Sequence, residues 1–256
     1  MRIFLQLGCA GVGKSTLTFN FVNWLRNKGN EKVYTMNLDP AVKHLLYTPD
    51  FDIRKNVDYH GIQKNYDIGP NGAIVLSLNF LMGKIDQIIA IMKKRSSEGN
   101  VIFIDTPGQT ELFTKSAFGE VFIKSLKKVF DSDFEILYVV EKDHMNKKES
   151  TTVNMLHAAT LSSRYKVCVW CVYTKYDKED VKFANVEYLS LAMDEMSEDD
   201  EYHSNLYTDI QNVFSDCFNR LPVLKFGWGD GLEKSGKRKM PNVEINEESF
   251  KKLGLV

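Results

Sequence analysis

The sequence predicts an α/β fold in which a mostly parallel sheet is flanked by helices. Three observations carry that expectation. Short apolar runs rich in β-formers alternate with longer helical patterns along the 256 residues. The first run, Ile3-Phe4-Leu5-Gln6-Leu7, leads directly into a glycine-rich loop and then a helical pattern. The apolar fraction, 43%, suits one large domain, and nothing forces a division into two.

In chain order, strands are expected at 2–7, 32–37, 101–104, 134–140, 166–173 and 222–226, with helices at 15–28, 80–97, 149–163 and 206–219. Two segments break the alternation and read as insertions in a single domain over 1–256. The first, 39–83, contains Gly61, Gly69, Pro70 and Gly72. The second, 178–205, carries the acidic run Asp194-Glu195-Met196-Ser197-Glu198-Asp199-Asp200-Glu201, which reads as a solvated face. A short, flexible C-terminal tail includes Lys234-Ser235-Gly236-Lys237-Arg238-Lys239.

A formal net charge of −1 argues against direct nucleic-acid binding or a grip on anionic membrane. Cys9, Cys168, Cys171 and Cys217 are too few and scattered for a secreted disulfide scaffold. The strand at the N-terminus leaves no room for a cleavable signal, and no apolar run is expected to approach the roughly 20 residues of a membrane span. A reduced, cytoplasmic protein is the expectation.

Gly8-Cys9-Ala10-Gly11-Val12-Gly13-Lys14-Ser15 fits G-x-x-x-x-G-K-[ST], between a strand and a helix as that motif requires. The glycines let successive backbone N–H groups converge on a β-phosphate at the positive end of a helix. The phosphate-side residues are therefore Gly11, Val12, Gly13, Lys14, Ser15 and Thr16. Lys14 is expected to bridge the β- and γ-phosphates, and the Ser15 hydroxyl to ligate Mg2+. Asp105 ends the run Val101-Ile102-Phe103-Ile104 and opens Asp105-Thr106-Pro107-Gly108-Gln109. It is the expected second metal-side residue, acting through a water, while the Gly108 N–H senses the γ-phosphate.

Thr174-Lys175-Tyr176-Asp177 follows the fifth expected strand. The Asp177 carboxylate can accept from both N1–H and the exocyclic amine of guanine, donors that adenine lacks at that edge. The Lys175 stem can lie against the base. This pattern selects GTP and GDP, although threonine stands where asparagine is more usual, and the Ser-Ala pair often seen after the last strand is missing near Leu224-Lys225-Phe226-Gly227. For hydrolysis, Asp39 of Asn37-Leu38-Asp39-Pro40-Ala41 leaves the second strand beside the phosphate loop and is the first candidate to position or deprotonate water; Gln109 is the second. A cap before Pro40 is the structural alternative for Asp39.

Together these residues resemble the GPN-loop GTPases, a family named for a Gly-Pro-Asn insertion, here Gly69-Pro70-Asn71. Asn37 to Val42, Ser77-Leu78-Asn79 and Asp105 to Gln109 extend the resemblance, which covers most of 2–225. It implies a homodimer, or a heterodimer with another GPN-loop GTPase, in which Asn71 reaches the phosphate region of the partner. The pattern is most similar to the paralogue linked to RNA polymerase II assembly and nuclear import. That implies a switch or chaperone-like role, RNA polymerase II subunits as partners, and shuttling from cytoplasm to nucleus. Glu141 stands where the family more often has aspartate.

Two rivals use the same loop. A P-loop kinase needs an arginine-rich lid, and none is evident after Asp105. A metal-delivery GTPase is suggested by Cys168-Val169-Trp170-Cys171, but on a strand these cysteines point to opposite faces. A scaffold that binds nucleotide without useful turnover stays open.

Overall fold

The computed structural model describes residues 2–27, 32–141, 148–175, 223–225 and 253. By its internal contacts the chain divides into two compact units, 1–139 and 140–256. The first unit is built on strands β1 (Ile3–Leu7), β2 (Val33–Asn37), β3 (Phe51–Asp52), β4 (Val101–Asp105) and β5 (Phe134–Glu141), the last running just across the division. Their order is β3-β2-β4-β1-β5, and every pairing is parallel. All five residues of β1 and of β4 are buried. That two-sided burial explains why these strands read as continuous apolar runs rather than alternating ones.

Helix α1 (Lys14–Asn27) buries Leu17, Phe21 and Leu25 at four-residue spacing. Phe21 and Phe4 both lie against Phe103, with ring centroids 5.2 and 5.3 Å away. The insertion at 39–83 is more regular than its glycines suggest. It holds β3, α2 (Tyr59–Tyr66) and α3 (Pro70–Phe80). Asp58 caps α2 by accepting from the Gly61 N–H at 2.9 Å. Pro70 stands in the first turn of α3 behind Gly69, where its missing N–H costs nothing. The helix expected at 80–97 does not cover α3, a separate helix that buries one face through Ala73, Ile74, Ser77 and Leu78.

A 3-10 turn, Leu81–Lys84, separates α3 from α4 (Ile85–Ser97). The continuous stretch Pro70–Ser97 is, by length and composition, long and apolar enough to cross a membrane. This corrects the expectation that no apolar run nears that length. Its interruption and its buried residues Ile88, Ile89 and Met92 are those of helices packed in a folded unit.

Two helices between β4 and β5 were not anticipated: α5 (Thr110–Thr114) and α6 (Ala117–Phe130). In α6, Phe118, Phe122, Leu126 and Phe130 repeat every four residues and are buried, and Ser116 caps the helix through the Gly119 N–H at 2.9 Å.

In the second unit, α7 (Lys148–Tyr165) precedes β6 (Cys168–Thr174), which pairs in parallel with β7 (Val223–Lys225). Along β6, Cys168 is exposed and Cys171 buried, as opposite-facing positions require. The expected helix at 206–219, the segment 178–205, Cys217 and the basic tail lie outside the described residues.

Candidate nucleotide-binding site

Parallel pairing sends the chain out of β1, β4 and β2 at the same edge, where open α/β sheets place their ligands. The register sets Gln6, Asp105 and Asn37 on one rung across these three strands. The segments that follow are the phosphate loop, the Asp105 loop and the Asp39 segment. β4 stands between β1 and β2, so Asp39 does not leave a strand directly beside the phosphate loop, as the sequence suggested. It approaches Lys14 across the end of β4.

The phosphate loop has the backbone its glycines allow. Gly8 has φ 147°, and a Cβ there would collide with the Val139 carbonyl oxygen; Gly13 has φ 95°. The Gly8 N–H donates to Thr110 Oγ1 at 2.8 Å, which anchors the loop to α5. Lys14 is buried, and its ammonium donates to the carbonyls of Gly8 at 2.7 Å and Cys9 at 2.9 Å. Burial lowers its pKa, and the charges of Asp105 and Asp39 oppose that shift. Val12 is buried beneath the loop, while Ser15 and Thr16 lie half-buried in the first turn of α1. A Cβ added at Gly108 would lie 3.0 Å from the Ala10 Cβ, so the Asp105 loop closes against the phosphate loop.

Asp105 is 2% exposed. Its Oδ2 accepts from the Ser15 hydroxyl at 2.6 Å and from the Tyr47 phenol at 3.2 Å, whereas Oδ1 is buried with no hydrogen-bond partner. Burial pushes the carboxyl up to about 6, against the Ser15 hydrogen bond and the Lys14 charge. Burial and the Asp105 charge also raise the Tyr47 phenol, which stays a donor. A free carboxylate oxygen beside a hydroxyl that spends its proton on Asp105 and keeps its lone pairs fits a hard divalent cation. Among the described residues no group of three or more His, Cys, Asp or Glu is gathered to hold a metal. A cation here would therefore be completed by phosphate oxygens and water, as magnesium commonly is.

Asp39 is half-buried, and burial raises its pKa, opposed by the Ala41 amide and then by Lys14. Its Oδ1 accepts from the Ala41 N–H at 2.9 Å, and the Val42 amide also favours its charged form, so the turn alternative is present in the structure. The Asn37 side chain grips the backbone on either side of the Asp39 Cα, accepting from its N–H at 3.0 Å and donating to its carbonyl at 3.2 Å. Asn37 also donates to Asp52 at 2.9 Å, and Asp52 is paired with Arg54 at 2.7 Å. Gln109 and Asn71 are exposed, and the Gln109 Nε2 donates to the Asn71 Oδ1 of the same chain at 3.2 Å.

In the second unit, Thr174 ends β6, fully buried, with its hydroxyl donating to the Val140 carbonyl at 3.3 Å. Lys175 follows with φ 60°, and its ammonium pairs with Glu141 at 2.6 Å. Asp177 lies outside the described residues, as do Phe226 and Gly227.

Residues 6–226 match the profile of a family described as "Conserved hypothetical ATP binding protein". GPN-loop GTPase 1 of Dictyostelium discoideum is 34% identical over 255 residues, which cover 98% of this chain and 60% of that protein. GPN-loop GTPase 1 of Schizosaccharomyces pombe is 37% identical over 180 residues, 70% of this chain and 48% of that protein. The chain belongs to the GPN-loop GTPase family. It spans 60% and 48% of these two relatives' own lengths. The fold is shared with the crystal structure of a GTPase in apo form from Pyrococcus abyssi, at a TM-score of 0.76 and 26% identity, over 88% of this chain and 90% of that one.

In this member of the family the Gly69-Pro70-Asn71 segment is the start of α3. The structure gathers Lys14, Ser15, Asp39, Asp105 and Gly108, and brings Gln109 to Asn71. Sequence reasoning missed Tyr47, Thr110, Asp52 and Arg54. Thr110 directly follows Asp105-Thr106-Pro107-Gly108-Gln109 and could have been found there; a lone tyrosine in an irregular segment carries no such signal.

Proposed function

We propose that this chain binds GTP with Mg2+ and hydrolyses it to GDP. The observation that carries this reading is Asp105, buried at the end of β4 with one oxygen free and Ser15 and Lys14 beside it. The phosphate loop's amides and Lys14 would hold the β- and γ-phosphates, and Ser15 and Asp105 would hold magnesium, which supplies charge neutralisation at the phosphates when bound. Asp39, within the electrostatic reach of Lys14, would orient or deprotonate water. Gln109 and Asn71 form a second pair able to contribute at the γ-phosphate.

The finer reading rests on the motif resemblance. The protein would work as a homodimer, or as a heterodimer with another GPN-loop GTPase, each Asn71 acting at its partner's site. It would serve as a switch or chaperone-like factor in RNA polymerase II assembly and nuclear import, from the cytoplasm, with polymerase subunits as partners. The named GTPase relatives and the Thr174-Lys175-Tyr176-Asp177 loop favour guanine; the family profile's description names ATP. Competition binding decides between them. GTP and GDP should bind at least tenfold more tightly than ATP and ADP, and Asp177→Asn should erode the preference. Equal affinity for ATP would replace GTPase by ATPase and leave the phosphate site as described.

A further inference from the structure

Tyr47 sits on the segment that carries Asp39, between β2 and β3, and is 8% exposed. Its hydroxyl and that of Ser15 both donate to the same Asp105 oxygen, Oδ2, at 3.2 and 2.6 Å. Two donors on one oxygen fix the rotation of a carboxylate. They also leave the other oxygen, Oδ1, as the one without a partner. A buried carboxylate oxygen in that condition costs free energy unless something takes it up, and the chain supplies two groups that keep it in that condition.

We propose that Tyr47 is a positioning residue for the divalent cation: it holds one oxygen of Asp105 so that the other is kept for the metal, and it ties the Asp39 segment to that metal. The inference rests on the reading of Ser15 and Asp105 as the magnesium side. Partners that orient a metal's ligands are worth about 10- to 100-fold in metal affinity when removed. Tyr47→Phe keeps the ring in its packed place and deletes only the hydroxyl.

The test uses the full chain and a fluorescent, slowly hydrolysed GTP analogue. Nucleotide affinity is measured across a magnesium titration and again in chelator, and Mn2+ binding to the nucleotide complex is followed by electron paramagnetic resonance. Tyr47→Phe should raise the magnesium concentration for half-maximal effect, and the Mn2+ dissociation constant, by about 10-fold or more. Affinity in chelator should stay within about twofold, because no phosphate contact is lost. Tyr34→Phe is the control, since Tyr34 is equally buried but lies under Arg95, away from Asp105; it should move neither value. An unmoved magnesium midpoint overturns the inference. So does an equal fall with and without the metal, which would make Tyr47 a packing residue. If the unmodified chain binds the analogue but shows no magnesium effect, the metal-side reading falls and takes this inference with it; if it binds no nucleotide, the proposed function itself falls.

Discussion

The charges of Lys14 and Asp39 act on each other, but the two residues make different demands on a nucleotide. Lys14 is buried in the loop and would grip phosphate in every state, so Lys14→Ala should abolish measurable binding. Asp39 is proposed to act on water, so Asp39→Ala should keep GTP and slow single-turnover hydrolysis by about 100-fold, within the usual range for a lost general base. Hydrolysis at the original rate would pass the role to Gln109 or Asn71. Asp105 gives a pH signature. Its folded pKa, about 6, lies above the ordinary carboxylate value of 3.8, so its contribution to stability is fully present below about 4 and lost as pH rises through about 6. Without metal, the stability of the unmodified chain relative to Asp105→Asn should fall by about 2 kcal/mol between pH 4 and pH 7. Denaturant melts at several pH values measure this, and a flat difference would show that Asp105 titrates normally. These residues were legible in the sequence because phosphate and metal chemistry demands particular side chains at fixed spacing. Tyr47 was not, because its partner is 58 positions away and only the folded segment brings them together.

The helices α3 and α6 show why the elements were read unevenly. Strands β1 and β4 were expected almost to the residue, since two-sided burial writes itself as an unbroken apolar run. Helix α6 is absent from the expected elements, although Phe118, Phe122, Leu126 and Phe130 form its buried stripe and Glu120, Lys124, Lys127 and Lys128 interleave with them as in an amphipathic helix. The α3 start is masked by Gly69-Pro70-Asn71-Gly72, a turn-like sequence in which Pro70 is a first-turn helix residue. The two helices should answer mutation differently. Phe122→Ala removes a fully buried ring and should cost about 3–5 kcal/mol in chemical denaturation. Asn71→Ala, exposed beside Pro70, should cost no more than about 1 kcal/mol, yet slow GTP hydrolysis. A large stability loss at Asn71 would make the loop architectural rather than functional.

For the molecule as a whole, the central question is whether Asn71 serves its own site or a partner's. Its hydrogen bond to Gln109 of the same chain places it next to the loop that would sense γ-phosphate, and a second subunit could use that exposed pair from outside. Mixing subunits separates the cases. Excess Asn71→Ala protein should depress turnover at intact subunits, while Lys14→Ala subunits should still lend a working loop. Full activity in a proven monomer would rule out trans action. The shared rung of Gln6, Asp105 and Asn37 has a consequence of a different kind. A one-residue slip of β2 or β4 would turn Asn37 or Asp105 to the opposite face, because side chains alternate along a strand. Such a chain could still bury apolar residues on both faces and look folded, yet it would have no place for the nucleotide. Binding therefore inspects the assembly of the sheet: a ligand at about 100 times its dissociation constant adds about 2.7 kcal/mol to the correctly paired form alone. In a cell rich in nucleotide, the substrate would act on each new molecule first as a proofreader of its fold.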